Sequence, residues 1–109
     1  MTVAEVARAF GLADDAVIYR SIGRADADSI ATRLLGEGLA YGNEIMSASC
    51  AAELWQQFMA LFDGQDVEFV SNTNTEMKSW CPAAAATFDM GVLVIGERKA
   101  GCFWIEEED

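Results

Sequence analysis

The sequence predicts a single α+β domain: about three helices packed on a sheet of about four strands that ends in a C-terminal β-hairpin. Three observations carry that prediction. Two segments place apolar residues at three- and four-residue spacing between capping residues, the signature of amphipathic helices. Two continuous apolar runs, VLVI at 92–95 and CFWI at 102–105, are joined by GERKAG, the pattern of a hairpin with a longer loop. The chain has 109 residues, 52% of them hydrophobic, which suits one compact domain with its own core.

The elements follow in order. Thr2 and Glu5 have capping-box spacing, and Val3, Val6, Ala7 and Phe10 form one apolar face before Gly11. AVIYRSI, residues 16–22, is rich in β-formers and reads as the first strand. Asp26 or Asp28 can cap a second helix whose Ile30, Leu34 and Leu35 make a stripe before Gly36 and Gly38. Residues 39–46, LAYGNEIM, read as loop with a possible short strand. The clearest helix spans 49–62, where Ala51, Leu54, Trp55, Phe58, Leu61 and Phe62 recur at helical spacing and Asp63-Gly64 stops the run. DVEFVS at 66–71 is a short strand, and SNTNTEMKSW at 71–80 is polar turn material in which Thr75 can cap one helical turn. The only proline, Pro82, biases Cys81 towards extended backbone, and residues 83–86 lead extended into the next strand. Neighbouring strand residues face opposite sides, so VLVI and CFWI are apolar on both faces and are expected at the centre of the sheet.

Charge narrows the function classes. Eighteen Asp and Glu oppose seven Lys and Arg, a formal charge of −11. That surface repels phosphate backbones and anionic membranes and matches a basic protein partner. No apolar run reaches the roughly 18 residues that span a bilayer. The first ten residues lack a basic segment and a long apolar segment, so no signal peptide is expected. Three cysteines (Cys50, Cys81, Cys102) without a CxxC pair, and no histidine, fit a reducing cytoplasm and neither a disulfide framework nor a zinc site.

Chemistry is narrowed further. Without histidine, serine–histidine and cysteine–histidine catalysis are excluded, and no phosphate loop is present. Cys81, in SWCP near Lys78, is the candidate reactive thiol, against its reading as a small buried hydrophobe; Cys50 and Cys102 fall in apolar patterns and are expected in the core. The acid pairs Asp14-Asp15, Asp26-Asp28 and Asp63-Asp66 fit caps and helix dipoles and match no EF-hand. No enzyme activity, cofactor or metal is expected.

The most informative feature is the end of GCFWIEEED, where four carboxylates follow a core strand directly. They are either a solvated tail or part of a focused negative patch with Asp14, Asp15, Asp63, Asp66, Glu68 and Asp89. In the patch reading Glu106 and Glu107 leave the sheet at a defined place. The 71–80 loop adds adaptable Asn and Thr groups with Met77 and Trp80 as apolar anchors, a mixture found at interface hot spots; Trp80 reads equally as core.

In size, acidity and its strand-then-acids ending (FDMGVLVIGERKAGCFWIEEED), the chain resembles immunity proteins of bacterial contact-dependent and type VI toxin systems. That resemblance implies a cytoplasmic inhibitor that holds a cognate toxin, often a basic nuclease, inactive by covering its active site. The expected contact residues are Glu106, Glu107, Glu108, Asp109, Glu68 and Asp66, with Trp80 as an apolar anchor. The alternatives are a small-molecule-binding or self-associating domain and a nucleic-acid mimic that inhibits a defence nuclease.

Overall fold

The computed structural model describes residues 1–38 and 42–108. Among them are three α-helices, one 3₁₀ turn and a four-stranded antiparallel sheet, so the α+β architecture is as the sequence predicts. Helix α1 (Val3–Ala9) opens with the expected capping box: the Glu5 N–H donates to Thr2 Oγ1 at 3.1 Å, and the Glu5 carboxylate accepts from the Thr2 N–H. Gly11, at φ 76°, ends the turn in a conformation that favours glycine. The helix has only about two turns, so Val6 and Ala7 reach the sheet while Phe10 is its C-cap and stays half exposed.

The 16–22 segment is not one strand. Asp15 accepts the Val17 N–H at 3.1 Å and caps a 3₁₀ turn over Ala16–Ile18, leaving only Arg20–Ile22 as β1. The local carboxylate bond outcompetes the β propensity of the apolar residues.

Helix α2 (Arg24–Gly36) starts one turn earlier than expected, with Gly23 as N-cap in place of Asp26 or Asp28. Asp28 instead lies inside the helix, where its Oδ1 accepts from Arg24 Nε at 2.8 Å and from Trp55 Nε1 at 2.6 Å. Helix α3 (Ala48–Ala60) is capped by Ser47, whose Oγ accepts the Cys50 N–H at 3.2 Å. The Asp28 bond fixes which side of α3 faces inward. The buried stripe is Ala51, Trp55 and Met59, whereas Leu54 and Leu61, expected in the core, are about half exposed, and Cys50 is exposed as well.

Strands β2 (Val67–Ser71), β3 (Phe88–Gly96) and β4 (Ala100–Glu107) complete the sheet in the order β1-β2-β3-β4. Strand β3 is central, as its sequence predicts, and nearly every residue in it is buried. Strand β4 is not central. It forms an edge, its CFWI run is half-buried, and Glu106 and Glu107 are its last two residues instead of lying outside the sheet.

The sheet is covered on both faces. Helices α2 and α3 pack on one, against Phe69, Met90, Val92 and Val94, with Phe103 and Ile105 from β4. Helix α1, Tyr19 and Ala83 cover the other, against Val70, Leu93 and Ile95, with Cys102 and Trp104 from β4. Of the 39–46 segment, the described part contributes one isolated bridge, between Glu37 and Glu44, and residues 39–41 lie outside the described residues.

Candidate functional site

The predicted contact acids fall into two separate groups. Val67 and Glu68 pair with Gly96 and Ile95, so Asp66 and Glu68 sit at the hairpin end of the sheet. Glu106 and Glu107 pair with Asp89 and Phe88 at the opposite end. Ala100 and Glu106 are six residues apart on β4, which at about 3.3 Å per residue separates the groups by about 20 Å. Asp66 and Glu68 share their end with Arg98 and Lys99. There the Arg98 N–H donates to Gln65 Oε1 and Lys99 Nζ donates to the Leu61 carbonyl, so that end is of mixed charge.

Within the other group, strand pleat divides the acids again. Glu106 lies on the α1 face, in the column of Cys102 and Trp104; Glu107 lies on the α2 face, close to Gly38. Glu108 follows, with its Oε2 accepting from Thr87 Oγ1 at 2.7 Å, and Asp109 lies outside the described residues. Viewed from either face the acids are dispersed. Viewed along the sheet plane, from the open side of β4, Glu106 and Glu107 flank the edge on both sides.

Trp80 stands near this end. It is half-buried, bridges to Thr73 across the 73–80 loop, and packs its ring on Phe88 with centroids 5.5 Å apart. The loop is far less adaptable than its composition suggests. Asn72 and Thr73 are buried: Asn72 Nδ2 donates to the carbonyls of Cys81 and Asp89, both at 2.9 Å, and Thr73 Oγ1 donates to the Ser79 carbonyl at 2.7 Å.

Asp89, expected on the acidic surface, is fully buried. Its Oδ1 accepts from the Ala83 N–H at 3.0 Å, Trp104 Nε1 at 3.2 Å and Asn72 Nδ2 at 3.3 Å, while Oδ2 is buried without a hydrogen-bond partner. This carboxyl ties β3 to the incoming 83–84 segment and to β4, a structural task. Sequence reasoning missed it, although one signal was present: an acid directly before a strand run that is apolar on both faces has no solvent-facing side to occupy.

Two neighbours on this face titrate abnormally. Tyr19, whose hydroxyl donates to the Ala13 carbonyl, is pushed up to about 12, by burial first and then by Asp89. Cys102 is pushed up to about 11 by burial and then by Glu106, so its thiol stays protonated and non-nucleophilic at neutral pH. Cys81 is exposed, not the buried hydrophobe that one sequence reading expected.

Among the described residues no group of three or more Cys, Asp and Glu side chains is placed to hold a metal ion, and no helix is long and apolar enough to cross a membrane. No protein-family model matches the chain, and neither a curated protein nor a solved structure matches it.

Proposed function

We propose that this protein is an acidic protein-binding inhibitor of the immunity-protein kind, which neutralises a basic toxin, such as a nuclease, by covering its active site from the cytoplasmic side of the producing cell. The observation that supports it is the open edge of β4, eight residues long and flanked near its end by Glu106 and Glu107 on opposite faces, with Glu108 beyond. An edge strand presents backbone N–H and C=O groups to an incoming segment. Here the flanking carboxylates add selectivity for Lys and Arg, and long-range attraction by a −11 protein raises the association rate, up to about 10⁸–10⁹ M⁻¹s⁻¹ at low salt. Asp66 and Glu68 lie about 20 Å away, at the hairpin end of the sheet, and add to the general field. Trp80, packed on Phe88, is the nearest apolar anchor.

The test is capture with an N-terminally tagged protein at low and high salt, followed by association kinetics with the retained partner. One basic protein, inactive in the complex and binding more slowly to the double variant Glu106→Lys/Glu107→Lys at low salt, is the expected result. An unchanged association rate sinks the acidic-edge reading.

One observation favours self-association as a second reading. Two copies meeting antiparallel about Phe103, near the middle of β4, would set Ala100 of one copy against Glu106 of the other. Lys99 would then lie beside the acidic end. A mass that rises with concentration in sedimentation, and falls back for Lys99→Glu, would establish this pairing; a constant monomer mass removes it.

A further inference from the structure

The chain carries 18 acids, yet one cleft is lined by none of them. It holds about 170 Å³ between the start of β1 and the 72–81 loop, and its charged lining residue is Arg20. The other described clefts each include a glutamate: Glu37 with Glu44, Glu37 alone, Glu53, or Glu5. Arg8, Arg24 and Arg33 are ion-paired, to Asp14, Asp28 and Glu37, whereas Arg20 and Arg98 are in no ion pair among the described residues, and of these two Arg20 lines a cleft. Arg20 has no side-chain partner among the described residues. In a protein of this charge, an arginine kept clear of carboxylates keeps its full capacity for an external anion.

The wall around Arg20 is built and stiff. Cys81 N–H donates to the Asn72 carbonyl at 3.0 Å, and Asn72 Nδ2 donates back to the Cys81 carbonyl at 2.9 Å. Ser71 Oγ donates to the Gly91 carbonyl at 2.6 Å and accepts from the Thr73 N–H at 3.2 Å. These groups are spent on the fold. Others on the same wall remain available: Asn74 uses its Oδ1 to accept the N–H groups of Glu76 and Met77, which leaves its amide N–H₂ as donor, and the Ser79 hydroxyl makes no bond among the described residues. Arg20, Asn74 and Ser79 thus line one cleft as donors, with Val17, Ile18 and Trp80 supplying apolar surface beside them.

We infer that this cleft binds a small organic carboxylate: the Arg20 guanidinium takes the carboxylate oxygens, Asn74 and Ser79 add hydrogen bonds, and Val17 and Trp80 cover a short apolar body. The guanidinium fork pairs bidentately with carboxylate and phosphate alike, and the apolar surface of Val17, Ile18 and Trp80 beside the donors favours a carboxylate that carries an apolar body. The volume lies below the roughly 300–1,000 Å³ of sites for drug-sized ligands and limits the body to a few carbons. The Arg20 side of the cleft lies across the sheet from the β4 edge, since β1 and β4 are its opposite margins, and Trp80 is the residue the two sites share.

The test is a titration of the ¹⁵N-labelled full chain with propionate, butyrate, inorganic phosphate and propionamide, followed by amide shifts. Saturable shifts confined to Arg20, Asn74, Ser79 and Cys81 are expected with the carboxylates and not with propionamide. Arg20→Gln should weaken binding at least about tenfold, the loss of one charge-assisted hydrogen bond. Asn74→Ala should weaken it less, and it carries the test should Arg20→Gln fail to fold. Glu106→Lys/Glu107→Lys should leave it unchanged, which separates this site from the proposed inhibitor edge. Shifts that do not saturate, that propionamide reproduces, or that only phosphate elicits overturn the assignment.

Discussion

Strands β3 and β4 look alike in sequence, each with four apolar residues in a row, and differ in almost everything else. Val92, Leu93, Val94 and Ile95 are buried, paired on both sides and covered on both faces. Cys102, Phe103, Trp104 and Ile105 are covered on both faces too, which is why the run is apolar, but only one side of the strand is paired and the residues stay half-buried. An apolar run in a strand therefore reports the layers above and below the sheet. It says nothing about whether another strand lies alongside. Among the described residues no strand lies alongside the outer side of β4, which sets it apart from β3.

The largest test of this difference is truncation of one residue in each strand. Leu93→Ala removes a fully buried side chain from a site that cannot collapse, and should cost about 2–5 kcal/mol. Ile105→Ala, from a half-buried site, should cost about half as much, because surface at the open side relaxes or hydrates. Equal losses in urea denaturation would mean that β4 is covered in solution, as in a self-associated form.

Next in size is the carboxyl that joins the two strands. Asp89→Ala leaves the Ala83 N–H and Trp104 Nε1 buried without an acceptor and should cost about 2–4 kcal/mol. Asp89→Asn keeps an acceptor oxygen for both and should stay within about 1 kcal/mol of the parent, since the exchanged group falls where Oδ2 has no partner. Should Asn prove as damaging as Ala in the same denaturation series, the unpartnered oxygen is engaged in a way the geometry does not show.

These strands also explain what was legible beforehand. Caps and stops were readable wherever a local rule decided them, as with Thr2 and Glu5, Gly11, and the β3–β4 hairpin, closed by Gly96 N–H to the Lys99 carbonyl at 2.8 Å. Long-range contacts decided the rest. The orientation of α3 depends on Trp55 meeting Asp28 of another helix, so helical periodicity placed Leu54 inside when it is outside. Asp89 and the arginine-lined cleft draw on residues from three separate segments, and no spacing rule brings those together. The seven expected contact residues were legible as chemistry and not as geometry: pairing register alone separates Asp66 and Glu68 from Glu106 and Glu107.

A smaller effect is expected at high pH, where the packing of α1 and Tyr19 over β4 becomes measurable. Tyr19 and Cys102 both have folded pKa values above their ordinary 10.0 and 9.0. The folded state therefore holds these protons more tightly than the unfolded chain does. Their contribution is complete below about pH 9 and is lost as pH rises through about 11 for Cys102 and about 12 for Tyr19. Thermal melts should show the midpoint falling across that window, with Cys102→Ala flattening its lower part. A midpoint independent of pH from 9 to 12 would place both side chains in water.

The smallest effect sharpens the assignment of Glu106 to the α1 face. Glu106 is exposed at the margin of the sheet, so Glu106→Gln should change stability at neutral pH by less than about 0.5 kcal/mol. Its field nevertheless reaches Cys102, two strand steps of the same parity away on the shared face. Removing that charge should lower the Cys102 pKa part of the way towards 9.0, and only part, because burial is the larger cause. Alkylation rate against pH measures it cleanly once the two exposed thiols are removed by Cys50→Ser and Cys81→Ser. An unshifted profile would put the Glu106 carboxylate on the other side of the strand, and the edge would then present its acids on one face, suited to a partner that lies flat on the sheet and not to one that joins it side by side.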